Sequence, residues 1–284
     1  MRWEGRRESG NVEDRRGMGM GGGVGLPLGG GVGGLVLLLL ISWLTGTNPL
    51  DLISTSSVPQ DQSIGTTGVR DDDPQAKFIS VVLADTEDTW REAFRQRGQA
   101  YVPPVLVLFN GATQSACGVG RSEVGPFYCP ADRKVYLDLS FFRELDERFG
   151  APGDFAQAYV VAHEVGHHVQ NMLGIAESVT AARERSDDRQ SNALSVRLEL
   201  QADCFAGVWG HFAAGRGLLE PGDADEGLNA AAAIGDDRLQ RMARGQVIPE
   251  TFTHGSSADR VRWLRRGLDS GTIESCDTFS SGTH

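Results

Sequence analysis

The sequence predicts an α+β fold, in which a small antiparallel sheet is followed by a mainly helical remainder behind one N-terminal transmembrane helix. Three observations predict it. Short apolar runs bounded by Gly, Pro and Asn-Gly cluster between residues 105 and 139. From about residue 140 onward, apolar positions recur at helical spacing. Near the amino terminus, no charged residue stands between Arg16 and Asp51, and this gap holds enough apolar residues to span a bilayer.

Composition narrows the function. The chain has 284 residues, of which 40% are hydrophobic and 23% charged, as in an ordinary globular protein. Its 38 acidic residues against 27 Lys and Arg give a net charge of -11, which argues against nucleic acid as a partner.

Taken in order, residues 1–23 read as a cytoplasmic N-terminal segment, with five Arg and four acidic residues among the first 16. Residues 24–44 read as a retained membrane anchor, contacting lipid and ending near Trp43 at interfacial depth. No small-x-small cleavage site follows, so a cleaved signal peptide is the weaker reading. Residues 45–74, rich in Ser, Thr, Asp and Pro, read as a flexible linker, and residues 75–284 as one extracytoplasmic domain.

Within that domain, residues 77–97 have the pattern of an amphipathic helix, and residues 105–109 that of a strand closed by Asn110-Gly111. Residues 125–129 and 135–139 flank a turn as a hairpin, with Val135, Leu137 and Leu139 on one face. Ser140 is placed to cap a short helix reaching residue 149. Further helices are expected over 154–173 (stopped by Gly174), 177–212 with a possible break, 224–243 and 256–268.

Four cysteines, Cys117, Cys129, Cys204 and Cys276, all follow the anchor. An even count on the outer side of a membrane favours disulfides, and Cys117 with Cys129 is the favoured pair, leaving Cys204 for Cys276. Zinc ligation by these cysteines is disfavoured because no C-x-x-C occurs.

The chemistry is concentrated in two segments. His163-Glu164-x-x-His167 puts two imidazoles one helical turn apart, able to share a metal, with Glu164 beside the metal's open position. The apolar run Tyr159, Val160, Val161 and Ala162 leads directly into it, so histidines buried here need a purpose. A third His soon after, as metzincins have, is absent, because Gln170 and Leu173 stand there. Instead Glu199 and Asp203 lie four apart on a later helix. Taken alone they are an ordinary wet face; after the first motif, Glu199 is the natural third ligand. Asp203 can then accept the free ring N–H of a liganding histidine. His168 points away from the metal as a surface or supporting residue, His211 lacks a supporting partner at helical spacing, and His284 lies in a polar tail.

The run 160–170, the segment Glu199-Leu-Gln-Ala-Asp-Cys-Phe-Ala-Gly207 and the segment Thr253-His-Gly-Ser-Ser-Ala-Asp-Arg-Val-Arg-Trp263 resemble the bacterial family of putative neutral zinc metallopeptidases, as does the Arg-rich amino terminus. The resemblance covers essentially the whole chain. It implies a zincin-like, gluzincin-type membrane-anchored peptidase. One Zn²⁺ per chain would be held by His163, His167 and Glu199, with Glu164 as general base for water attacking a peptide or protein substrate. His254 and Arg260, in the third matched segment, are the candidate donors to the tetrahedral intermediate, against the alternative that they cap a loop and form a structural ion pair. The hairpin at 135–139 stands where such peptidases carry a substrate-binding edge strand. Two rival readings share the fold: a cell-wall peptide amidase with the same zinc site, and a non-catalytic membrane-tethered binding or assembly protein. The presence of Glu164 weighs against the second.

Overall fold

A computed structural model describes residues 1–17, 66–70 and 72–280. The domain is assembled from two stretches of chain, Met1–Asp14 and the part from Thr66 onward. In chain order its elements are β1 (Val12–Asp14), β2 (Thr66–Thr67), α1 (Pro74–Gln96), β3 (Val105–Phe109), β4 (Ala112–Ser115), β5 (Gly118–Arg121), β6 (Phe127–Cys129), β7 (Lys134–Asp138), α2 (Ser140–Glu147) and α3 (Asp154–Met172). They continue with α4 (Ile175–Arg183), α5 (Asp188–Gly215), α6 (Asp223–Ala233), α7 (Asp236–Arg244) and α8 (Ser257–Ser270).

The α+β class holds, but the sheet is mixed rather than antiparallel. Its strand order is β2-β1-β3-β7-β6. Strands β1, β3 and β7 run parallel, while β2 and β6 flank them antiparallel at the two edges. The expected β6–β7 hairpin forms, yet β7 is internal and buried from Val135 to Asp138, so the free edge is β6. Being covered on both faces explains this: Val135 and Leu137 enter the main core, while Tyr136 joins Val107, Phe109 and Cys129 on the other side. The β4–β5 hairpin closes over that second face, with Gly120 lying against the Phe127 ring. The bridge Cys117–Cys129 ties it to β6.

The largest departure from expectation is at the amino terminus. Residues 1–14 are not a segment outside the fold. Val12–Asp14 pairs with Leu106–Leu108 on one side and with Thr66–Thr67 on the other, so the expected linker also contributes a strand. Trp3 packs edge-on against Phe78, and the Met1 amino group lies 2.6 Å from Asp154 and 3.3 Å from Asp223. Burial opposes that ammonium charge, but the hydrogen bond and charge of Asp154 hold its pKa up at about 10. Glu87, buried on α1, accepts from Ser9 Oγ at 2.5 Å, Asn11 Nδ2 at 2.8 Å and Arg7 Nη1 at 3.1 Å. A buried carboxylate needs such donors, and the N-terminal arm supplies them. Among the described residues no helix is long and apolar enough to cross a membrane. The expected anchor at 24–44 lies outside the described residues.

The helices follow the apolar periodicity with two breaks and one altered start. The 177–212 reading divides after Arg183, where Asp187 caps α5 by accepting from the N–H of Gln190. The 224–243 reading divides at Gly235, whose backbone abuts Ser257 so closely that a Cβ would meet its nitrogen at 2.4 Å. Ser140 begins α2 rather than capping it, and its N–H donates to Asp138.

Helix α3 is the centre of the domain. It is buried on nearly every side because α1, α5, α6 and β6 all pack on it. Its sequence allows this: Ala156, Ala158, Ala162 and Gly166 interleave with Phe155, Val161, Val165 and Val169. Helix α5 crosses it at Gly166, where a Cβ would stand 2.9 Å from the carbonyl oxygen of Ala202. Helix α8 crosses α5 where Gly207 faces Gly267, with backbones too close for any side chain at either position. Both crossings leave room for backbone contact only, and so bring polar side chains of three helices to one point.

Candidate metal centre and active-site cleft

His163 and His167 project from α3 toward Glu199 on α5. Their nitrogens and a Glu199 oxygen lie within 4.8 Å of one another. His163 Nε2 is 3.2 Å from Glu199 Oε2, and His167 Nε2 is 3.5 Å from Glu199 Oε1. Tetrahedral coordination with bonds of about 2.0–2.1 Å has ligand–ligand edges of roughly 3.3–3.4 Å, so the spacing suits a zinc-sized ion.

The rings are oriented for ligation by what holds their other nitrogens. His163 Nδ1 donates to Asp203 Oδ1 at 2.8 Å, and His167 Nδ1 donates to Gln170 Oε1 at 2.9 Å. With the Nδ1 atoms protonated in those bonds, each Nε2 lone pair is directed at Glu199. Gln170 is itself fixed, since its amide donates to the carbonyl of Leu198 at 2.6 Å and to Gln201 at 3.2 Å. The donor set therefore fits a divalent metal, with two imidazoles and one carboxylate of the type zinc prefers.

Asp203 is completely buried and accepts four hydrogen bonds. Besides His163, its Oδ1 receives Tyr159 Oη at 2.5 Å and Arg260 Nη2 at 2.9 Å, and its Oδ2 receives Arg260 Nε at 2.8 Å. Burial works against the charge, but the adjoining guanidinium and the His163 ring hold its pKa down at about 2.

Arg260 was expected as a donor to the reaction intermediate, and its contacts are of a different kind. Only 2% exposed, it spends Nε and Nη2 on Asp203, a further Nη2 contact on Tyr159, and Nη1 on the carbonyl of Ile234. Its engagement is with the carboxylate behind His163. The alternative reading, a structural ion pair, describes these contacts.

His254 has the opposite disposition. Half of its side chain is exposed, and it lines the same cleft as His163, Glu164 and His167. Its Nδ1 lies 3.3 Å from Asp236 Oδ1, while Asp236 Oδ2 accepts the backbone N–H groups of Thr253, His254 and Gly255. The hydrogen bond to Asp236, reinforced by the charge of Glu199, raises the His254 pKa above its ordinary value. Glu164 is buried and lines the cleft together with His163, His167 and Glu199. The cleft encloses about 880 Å³ and extends from β6, through Phe127 and Tyr128, to Leu239 and Met242 on α7.

The remaining histidines lie elsewhere. His168 turns away from the cleft and is fully buried rather than at the surface. Its Nε2–H donates to the carbonyl of Val102, its Nδ1 accepts from Tyr128 Oη, and burial holds its pKa down at about 4. It thereby ties α3 to the edge strand. His211 is exposed and bonds the carbonyl of Leu268, and His284 lies outside the described residues.

Three contributors escaped sequence reading. Gln170, one helical turn after His167, could have been found from that spacing alone. Tyr159 reads as an apolar core residue. Asp236 stands 18 positions before His254, at the start of a different helix, and no local pattern joins them.

The family described as "Putative neutral zinc metallopeptidase" matches residues 1–279, the N-terminal arm and all three functional segments included. The chain belongs to this family. A member in Escherichia coli K12, named uncharacterized protein YpfJ, is 52% identical over 284 residues, covering 98% of this chain and 99% of that protein. The Mycobacterium tuberculosis H37Rv protein named uncharacterized protein Rv2575 is 42% identical over 216 residues, 72% of each chain. No solved structure matches. Both cysteine pairs of this zinc metallopeptidase family member are bridged as expected, Cys117–Cys129 and Cys204–Cys276. The second bridge begins at the residue after Asp203.

Proposed function

We propose that the chain is a zinc-dependent peptidase that hydrolyses peptide bonds in an extracytoplasmic compartment and is attached to a membrane through its apolar stretch at 24–44. The observation that carries the chemistry is the convergence of His163, His167 and Glu199 within 4.8 Å, with Glu164 in the same cleft. The two disulfides support the compartment. A bound zinc ion supplies Lewis acidity to a water nucleophile and to the scissile carbonyl.

The chain's own residues do the rest. Glu164 takes the proton from the attacking water and returns it to the departing amine. His254, held by Asp236, donates to the oxyanion as it forms. Asp203 and Gln170 keep the imidazoles in the ligating tautomer, and Arg260 and Tyr159 keep Asp203 in place. An extended substrate adds to the free edge of β6, which borders the cleft, rather than to β7, which is paired on both sides. The apolar side chains of Phe127, Phe141, Leu239 and Met242 favour substrates with bulky apolar residues near the cleaved bond.

The test is zinc content and casein cleavage for the wild type and Glu164→Gln. We expect about one zinc per chain in both, and cleavage reduced by about 10²–10⁴-fold in the variant. Properly folded wild type that binds no zinc would overturn the proposal.

A further inference from the structure

The N-terminal arm and the catalytic domain share one sheet, and this constrains how the chain meets a membrane. Asp14 is the cross-strand partner of Thr66, and Glu13 of Thr67. Antiparallel partners have Cα atoms about 4.5–5.5 Å apart, so the chain leaves the domain and re-enters it at one point. The arm is not loosely attached. It completes the β3 edge, satisfies buried Glu87, and packs Trp3 edge-on against Phe78. Detaching it would strip the donors from a buried carboxylate and expose Leu106 and Leu108.

The same sheet carries Cys129 in β6, bridged to Cys117, while Cys204–Cys276 closes behind the metal ligands. Two disulfides with no free cysteine assign the domain to an oxidising compartment. Whatever holds for the domain holds for residues 1–14. An anchor crossing the bilayer once would put these two parts on opposite faces, which a common sheet forbids.

We propose, resting on the membrane attachment argued above, that residues 1–14 and the catalytic domain lie on the same oxidising face of the membrane, so that the chain between Asp14 and Thr66 begins and ends on that face. The sequence between the two strands agrees. A return passage through the bilayer would have to use residues 45–65, which carry Asn48, Asp51, Gln60, Asp61 and Gln62. Hydrocarbon does not accept such a polar segment unless other protein shields it. The apolar run free of Gly and Pro, residues 35–44, is ten residues long. That is half of the roughly 20 apolar residues that a crossing helix needs. The departure point lies at the β1–β2 edge and the cleft at the β6 edge. Four strand spacings separate them, about 19 Å.

The experiment uses the full chain in bacterial membranes, with single cysteines introduced as Glu8→Cys in the arm and Asp269→Cys on α8, both at exposed positions. A membrane-impermeant maleimide is applied to intact spheroplasts and again after lysis, and fractionation records membrane attachment separately. We expect both positions to label equally before lysis, with the protein in the membrane fraction. Labelling of Asp269→Cys before lysis and of Glu8→Cys only after it would overturn the inference, as would labelling of neither before lysis. A freely soluble protein would instead overturn the attachment reading. A second variant, Glu13→Cys with Thr67→Cys and a protease site inserted within 45–65, checks the pairing itself. The two fragments should stay joined after cleavage until reduced, and separation without reductant would overturn the shared sheet.

Discussion

Arg260 grips Asp203 with two of its nitrogens, Nε on Oδ2 at 2.8 Å and Nη2 on Oδ1 at 2.9 Å, in a pocket from which water is excluded. The pair connects α8 to α5 and stands directly behind His163. Arg260→Met should leave a buried carboxylate unpaired, destabilising the fold by about 3–5 kcal/mol. It should also weaken zinc binding by roughly 10–100-fold through loss of His163 orientation. Urea unfolding with and without zinc, together with zinc titration, measures both. A variant as stable as wild type would show that Asp203 finds another partner.

Asp236 acts on the alkaline side of the pH profile. Because its hydrogen bond raises the His254 pKa, the ring keeps its proton to higher pH than an ordinary imidazole and loses it as pH climbs through that raised value. Any stability gained from the pair follows the same sign, present below about pH 6.5 and lost as pH rises through the folded-state value. Asp236→Asn keeps an acceptor for the loop N–H groups but removes the charge. The alkaline limb of kcat/KM should therefore move to lower pH. An unmoved limb would remove His254 from the proposed chemistry.

At Gly166 the test is steric. A methyl group there would meet the Ala202 carbonyl oxygen at 2.9 Å and its Cα at 3.1 Å, and backbone cannot swing aside as a side chain can. Gly166→Ala should force α3 and α5 apart, at about 1–3 kcal/mol of stability, and part Glu199 from the two histidines. Zinc affinity should fall with it, whereas Gly215→Ala, which has open space around it, should leave zinc affinity unchanged.

The bridge Cys204–Cys276 joins residues 72 apart. A loop of that length restricts the unfolded chain by up to about 4 kcal/mol. It also holds the C-terminal segment where Gln201 donates to the carbonyl of Cys276. Replacing both cysteines with Ser should lower the unfolding midpoint and speed zinc loss to a chelator, measured by stopped-flow with a zinc indicator. Equal chelation rates would confine the bridge to a stability role.

Much of the site was legible along the chain because helical spacing is a local property. His163 and His167 lie one turn apart, as do Glu199 and Asp203, so each pair is committed to one face before any packing occurs. Even the choice of Cys117 with Cys129 followed from a short loop on the expected outer side. Reading failed where partners come from distant segments. Asp236 reaches His254 only because α7 begins against the loop that precedes α8, and the grip of Arg260 on Asp203 could not be read because that carboxylate lies on another helix.

The N-terminal arm shows the same division most clearly. By itself the sequence determined the helix periods, the metal-ligand pattern and the apolar stretch at 24–44, all of which are set by neighbours within a few residues. It carried no sign that Val12–Asp14 would be a strand, since three residues have no period to read and their stability comes entirely from β3 and β2. Tertiary structure alone decided that the arm belongs to the domain, that β6 and not β7 is the open edge, and that three helices meet at glycines closely enough to seat Arg260 behind His163. Those are matters of which surfaces bury one another, and burial depends on the whole chain at once.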